Sequence, residues 1–129
     1  MNWHRDWQAR VYLAARFEKQ DEIREIAKDF QQAGFFVTSR WLYEPIPCDD
    51  LTMRQLAMLD LEDVRNADIL VLFGDQGGAG RYFEAGYAYA LGRIVALIGD
   101  DRLLFKFMPN VLRFQRVDET IAFLVGAKQ

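Results

Sequence analysis

The sequence predicts an α/β fold, a three-layer sandwich in which helices cover both faces of a parallel sheet. Two observations carry that expectation. Its short apolar runs, among them ARVYLAA (9–15), DILVLF (68–73) and RIVALIG (93–99), are continuous rather than alternating, as strands buried on both faces should be. Segments of helical length and period stand between them, so strands and helices alternate along the chain. Five such strands suit a flavodoxin-like/Rossmann-like sheet of order 2-1-3-4-5.

Each element has its own justification. ARVYLAA is short, apolar and bounded by charge, hence a strand. In KQDEIREIAKDFQQAG, the residues Ile23, Ile26, Ala27 and Phe30 fall on one helical face, and Gly34 stands at the expected stop. FFVTS (35–39) is the second strand, and RWLYEPIPCDD (40–50), with its prolines, is a loop. A helix over 51–66 precedes DILVLF. The glycine-rich GDQGGAG leads to a helix ending near Leu91, and RIVALIG follows. A turn or short helix near DDRLLFKF, the strand VLRF (111–114) and a helix from Asp118 complete the pattern.

A chain of 129 residues, 51% hydrophobic and 27% charged, is expected to form one globular domain over 1–129. No apolar run reaches the ~18 residues of a membrane span, and MNWHRDWQAR lacks a signal-like apolar stretch, so a cytoplasmic protein without membrane partners is expected. Net charge is −3 with scattered cations, which argues against a nucleic acid polymer as partner. His4, Ser39 and Cys48 are the sole residues of their types. A held Ser/His or Cys/His pair is therefore not expected, nor is a zinc site or other metal, and no cofactor is implied. Carboxylates, tyrosines and arginines remain for chemistry.

In sheets of this order ligands bind beyond the carboxyl ends of the strands, where the order reverses. Here that place lies between the first and third strands, lined by 14–17 and 74–81. The glycines of GDQGGAG, including Gly78 and Gly80, permit close backbone approach, and the following helix offers free N–H groups to an anion. The spacing matches neither the phosphate loop nor the dinucleotide fingerprint. Glu84, just inside that helix, is either an acid complementing the helix dipole or a partly desolvated, reactive carboxylate. In the preceding helix Met53, Leu56, Ala57, Leu61 and Val64 trace an apolar face with Asp60 inside it. A carboxylate so placed either bonds to backbone or arginine, or lines a cavity. Tyr12 is a core aromatic whose hydroxyl can orient a carboxylate at the strand ends. Asp68 opens the third strand at the other end of the sheet, as a cap. Asp75 lies in the loop, close enough to meet a ligand.

VYLAA, LDLEDVRNADILVLF and GRYFEAGYAYALGRIVALIGD together resemble the nucleoside 2-deoxyribosyltransferase family and its relatives, the deoxynucleoside 5′-monophosphate N-glycosidases. The most specific segment is the last, a carboxylate followed by Gly-aromatic-Ala-x-Ala-x-Gly and a strand, and the resemblance spans Val11 to about Asp100. It implies the same fold and cleavage of an N-glycosidic bond through a covalent glycosyl-Glu84, with transfer to another base or to water. Tyr12 matches the tyrosine that orients this glutamate, and Asp60 the aspartate that contacts substrate near the reacting centre. Ala14, Ala15, Arg16, Asp75, Gly78, Gly80 and Arg81 fall at substrate-binding positions. Ala15 and Arg16 stand where the family usually has glycine, and Gly78 where relatives carry aspartate or serine, which marks a divergent branch. Arg16 and Arg81 suit a 5′-phosphate. The resemblance further implies a homodimer or higher homo-oligomer, for which the apolar Trp41, Leu42 and Tyr43 are a candidate surface. The rival is a catalytically inert nucleotide-binding module of the same fold.

Overall fold

The computed structural model describes residues 8–74, 79–99 and 107–127. The strands are β1 (Arg10–Ala14), β2 (Phe36–Val37), β3 (Ile69–Phe73), β4 (Ile94–Ile98) and β5 (Val111–Phe114), and the helices are α1 (Gln20–Gln32), α2 (Asp50–Arg65), α3 (Gly80–Ala90) and α4 (Val117–Ala127). The strands form one five-stranded sheet of order 2-1-3-4-5, parallel at every pairing, as the sequence predicts. The turn near DDRLLFKF lies outside the described residues except at its end.

Burial on both faces explains the continuous apolar strands. In β1 Val11, Tyr12, Leu13 and Ala14 are all buried, and in β3 Ile69 to Leu72 are too. The register sets Tyr12 against Leu70 and Ala14 against Leu72, which brings the carboxyl ends of the two strands level. α2 packs on α3, and α1 shares a groove with the start of α4, so two helices lie on each face. Ile23, Ala27 and Phe30 are the buried face of α1, and Gly34 adopts φ 96° past its end, a left-handed stop that suits glycine. At the other end of the site region the backbone crowds: a Cβ on Gly99, which has φ 114°, would lie 2.5 Å from the carbonyl oxygen of Gly74.

β2 is shorter than FFVTS suggests, for a local reason. After Val37 the chain leaves the sheet, and side chains replace the backbone ladder. Ser39 Oγ accepts from the Leu13 amide at 2.6 Å, and Trp41 Nε1 donates to the Leu13 carbonyl at 2.9 Å. Both polar groups of Leu13 on that edge are thus satisfied without a strand. A 3₁₀ turn over Arg40–Tyr43 follows inside the expected loop, and it buries Trp41 and Leu42. These two belong to the core, so they cannot form the surface for association expected of them; of the three only Tyr43 is exposed.

The reading of α2 also needs correction. Asp49 caps it, accepting from the Thr52 amide, with the Thr52 side chain completing a capping box. Met53 and Ala57, expected on a buried face, are exposed, and Asp63 and Val64 are the buried residues. α2 touches the body of the protein along its C-terminal half, against α3 and the 40–43 turn, and leaves Leu51, Met53 and Met58 outside.

Candidate active site

A cleft of about 460 Å³ opens at the carboxyl end of β1, where the strand order reverses. It is lined by residues from β1, the turn after it, the 40–43 turn, α2 and α3, which converge there. Tyr12 comes from β1 and points to the α3 face of the sheet, opposite to Val11 and Leu13. Glu84 comes from the second turn of α3, not the first, which removes the simple dipole-complementing explanation. Ala85 and Ala88 seat that helix on the sheet, whereas Gly86 and Ala90 face outward.

Tyr12 and Glu84 meet directly, the hydroxyl donating to Oε2 at 2.9 Å. Asp60, from the α2 wall, lies within hydrogen-bonding reach of Glu84. Neither expected structural partner is found for Asp60: it bonds to no backbone group or arginine, and its buried Oδ1 has no hydrogen-bond partner among the described residues. The acid lines a cavity. An orphan oxygen of this kind is a place for a substrate hydroxyl or a base nitrogen.

Burial dominates the electrostatics. It pushes Asp60 up to about 8, with the nearby Glu84 charge and then that of Asp63 adding to the effect. Burial also raises Glu84, to about 7, while hydrogen bonds from Tyr12 and Asp60 pull it down. Tyr12 is held well above its ordinary range by burial and by the two carboxylates, so it stays a donor. Both are raised, so the two adjoining carboxyls share one proton near neutrality. That leaves a carboxylate and a carboxylic acid side by side, the pairing that nucleophilic attack and leaving-group protonation require.

The other expected site residues divide. Ala15, Arg16, Gly80 and Arg81 line the cleft. Ala14 does not, being fully buried within β1. Asp75 and Gly78 lie outside the described residues. Arg81 is 3% exposed with its guanidinium 4.7 Å from the centre of the Tyr82 ring, whereas Arg16 is partly exposed and pairs with Glu18 at 3.5 Å. Asp68 caps the far end of the sheet, accepting from the Arg10 amide at 2.8 Å, as expected.

Phe17 lines the cleft as expected of 14–17, whereas sequence reasoning missed Trp41 and Asp63. Phe17 and Trp41, with ring centroids 5.6 Å apart, form an aromatic wall of the cleft. Asp63 is 3% exposed and holds Arg40 behind the cleft. The signal for Asp63 was its spacing, one turn after Asp60. Trp41 carried no such signal, because its burial depends on the hydrogen bond to β1. Among the described residues no cluster of side chains has the makings of a metal site, and no helix is long and apolar enough to cross a membrane.

No protein-family model and no curated protein matches this sequence. Solved structures do match. A 2-deoxyribosyltransferase from Bacillus psychrosaccharolyticus is similar at TM-score 0.69 and 22% identity, over 88% of this chain and 90% of that one. A CMP N-glycosidase from Clostridium botulinum is similar at TM-score 0.57 and 22% identity, over 89% and 97%. A conserved protein from Enterococcus faecalis V583 is similar at TM-score 0.66 and 17% identity, over 90% and 96%. The α/β sandwich of this chain is therefore the fold found in a 2-deoxyribosyltransferase and in a CMP N-glycosidase.

Proposed function

We propose that this protein cleaves the N-glycosidic bond of a nucleoside or its 5′-monophosphate, with 2-deoxyribosyl compounds as the leading substrates. The observation that carries the reading is the Tyr12–Glu84–Asp60 cluster in the cleft. The fold shared with a deoxyribosyltransferase and an N-glycosidase supports it.

In this reading the Glu84 carboxylate attacks the anomeric carbon. The bond to the base breaks, its electron pair passes to the base nitrogen, and Asp60 delivers its proton to the departing base. Tyr12 holds Glu84 in the attacking rotamer. Water or a second base then attacks the same carbon and displaces the Glu84 carboxylate, while Asp60 takes the incoming proton back; two displacements retain configuration. Phe17 and Trp41, their rings tilted 50° to each other, supply aromatic surface for the base. Arg16 and Arg81 favour the 5′-monophosphate over the free nucleoside, since phosphate exchanges a weak exposed ion pair for charge-assisted bonds. Association into a homo-oligomer belongs to the same reading.

The test is chromatography of purified protein with deoxynucleosides and their 5′-monophosphates, with and without an acceptor base. Base release without acceptor identifies a hydrolase, and exchange only with acceptor a transferase. Glu84→Ala should abolish either while binding persists, and rapid-quench mass spectrometry should find the sugar attached to wild type alone. Near-normal turnover by Glu84→Ala would eliminate the mechanism. Nucleotide binding without base release under any acceptor would make the chain an inert binding module.

A further inference from the structure

Asp63 takes no part in the chemistry above, yet it is among the most buried charged side chains described. Arg40 donates to it twice over, from its backbone amide at 3.0 Å and from Nε at 2.9 Å, and its Nη2 lies 2.7 Å from Oδ1. The Asp63 carbonyl accepts from Thr38 Oγ1 at 3.0 Å. One residue of α2 thus grips the backbone and the side chain of the first residue of the 40–43 turn. The next residue of that turn is Trp41.

The turn is fastened from other sides too. Gln20 Nε2 donates to the carbonyls of Trp41 and Glu44, and Arg24 to that of Leu42. α1 and β1 therefore hold the turn, and Asp63 supplies its buried tie to α2, beside the exposed Glu62. Asp60 stands one turn earlier on the same helix, in the opposing wall of the cleft. An ion pair with one buried member is a poor way to gain stability, because desolvating Asp63 offsets much of the attraction. Its use here is geometric.

We propose that Asp63 is a positioning residue of the cleft, fastening through Arg40 the helix that carries Asp60 to the turn that carries Trp41. The proposal rests on the catalytic reading of Asp60. Groups facing Asp60 are Glu84 from α3, Tyr12 from β1 and Asp63 from its own helix, with Arg16 and Arg81 also lining the cleft.

The experiment compares Asp63→Asn, Arg40→Met and Glu62→Gln with wild type by steady-state base release, thermal denaturation and carbon NMR titration of the Asp60 carboxyl. Glu62 is an exposed second partner of Arg40, at 3.3 Å, and serves as the control. Asp63→Asn and Arg40→Met should each lower kcat on the order of tenfold with little change in KM, since small misplacements of reacting groups are costly. The double variant should lose no more than either single one. Asp63→Asn should also move the Asp60 titration to lower pH, because a negative charge one turn away is gone. Glu62→Gln should behave as wild type. If Asp63→Asn lowers only the melting temperature and leaves kcat and the Asp60 titration where they were, the pair is merely structural and the proposal falls. If Asp63→Asn does not fold, Arg40→Met, in which Asp63 keeps its bond from the residue 40 amide, decides by kcat and the Asp60 titration. If wild type releases no base at all, the functional reading fails, and the Asp60 titration alone decides whether Asp63 positions it.

Discussion

The Tyr12 hydroxyl donates to Glu84 Oε2 at 2.9 Å although the two residues are 72 apart in sequence. The bond joins a central strand to the helix after the glycine-rich loop, so it fixes the Glu84 rotamer against the rigid part of the fold. Tyr12→Phe removes the donor and little else. We expect kcat to fall about tenfold to a hundredfold with KM nearly kept, as for loss of a group that orients and stabilises the charged form. Steady-state kinetics at the pH optimum checks this.

The carboxyl pair fixes a pH dependence. The proposed mechanism needs Glu84 ionised and Asp60 protonated, and burial raises Glu84 to about 7 and Asp60 to about 8. The profile of kcat/KM should be a narrow bell, rising as Glu84 loses its proton and falling as Asp60 does, with both limbs belonging to the pair. Tyr12→Phe should move the acid limb to higher pH, since the Tyr12 bond holds Glu84 down. A rate that climbs steadily from pH 5 to 9 would contradict the assignment.

The same shifts cost stability. Both carboxyls bind protons more tightly folded than unfolded, so their penalty is absent below about pH 4 and grows as pH rises to about 8. Asp60→Asn should therefore stabilise the protein at pH 8 by on the order of 2 kcal/mol, a value discounted for the partial exposure of Asp60. A rise in Tm of roughly 5 °C is expected at pH 8, with no gain at pH 4. Equal gains at both pH values would mean that the effect is not titration. Loss of turnover in the stabilised variant would place Asp60 among residues whose strain serves function.

Arg81 offers the sharpest discrimination between substrate forms. Its burial at the start of α3 fixes its position, whereas Arg16 is partly exposed and engaged with Glu18. Arg81→Met keeps the bulk and removes the charge. We expect affinity for a 5′-monophosphate to fall about tenfold, or ~1.4 kcal/mol, with affinity for the free nucleoside unchanged. Isothermal titration on a Glu84→Ala background measures both without turnover. Unchanged affinity for the monophosphate would remove Arg81 from phosphate recognition.

The strand order and the position of the cleft follow from features a sequence displays, continuous apolar runs, glycine placement and topology, whereas the meeting of Tyr12 with Glu84 was implied by the family resemblance. Asp60 was identified for a mistaken reason. Its helix does not bury the Met53–Ala57 side, and the acid is sheltered because α2 leans on α3 and the 40–43 turn. Helical periodicity tells which residues share a face, but not which face a neighbour covers. Trp41 and Leu42 illustrate the same gap, since prolines and polar neighbours mark a loop while a hydrogen bond to Leu13 draws its start into the core. Asp63 and Arg40, 23 positions apart, could be paired only once the chain between them was folded.

The exposed side of α2 makes the final prediction. Leu51, Met53 and Met58 lie outside the core, Ile46 stands exposed on the preceding loop, and Met58 is 63% exposed. Grooves flank the helix on both sides, one lined by Ile46, Cys48, Leu56 and Leu59, the other by Met58, Leu61 and Tyr87. A helix that presents this much apolar surface suits association, and α2 rather than the 41–43 cluster is where we place it. Sedimentation at micromolar concentration should show a dimer or larger species. Met58→Glu, which sets a charge among the apolar side chains, should shift it toward monomer with little change in Tm under conditions where wild type is also monomeric. A wild-type protein that sediments as a single monomer at these concentrations would count against association through this face, and the cleft would then have to function within one chain.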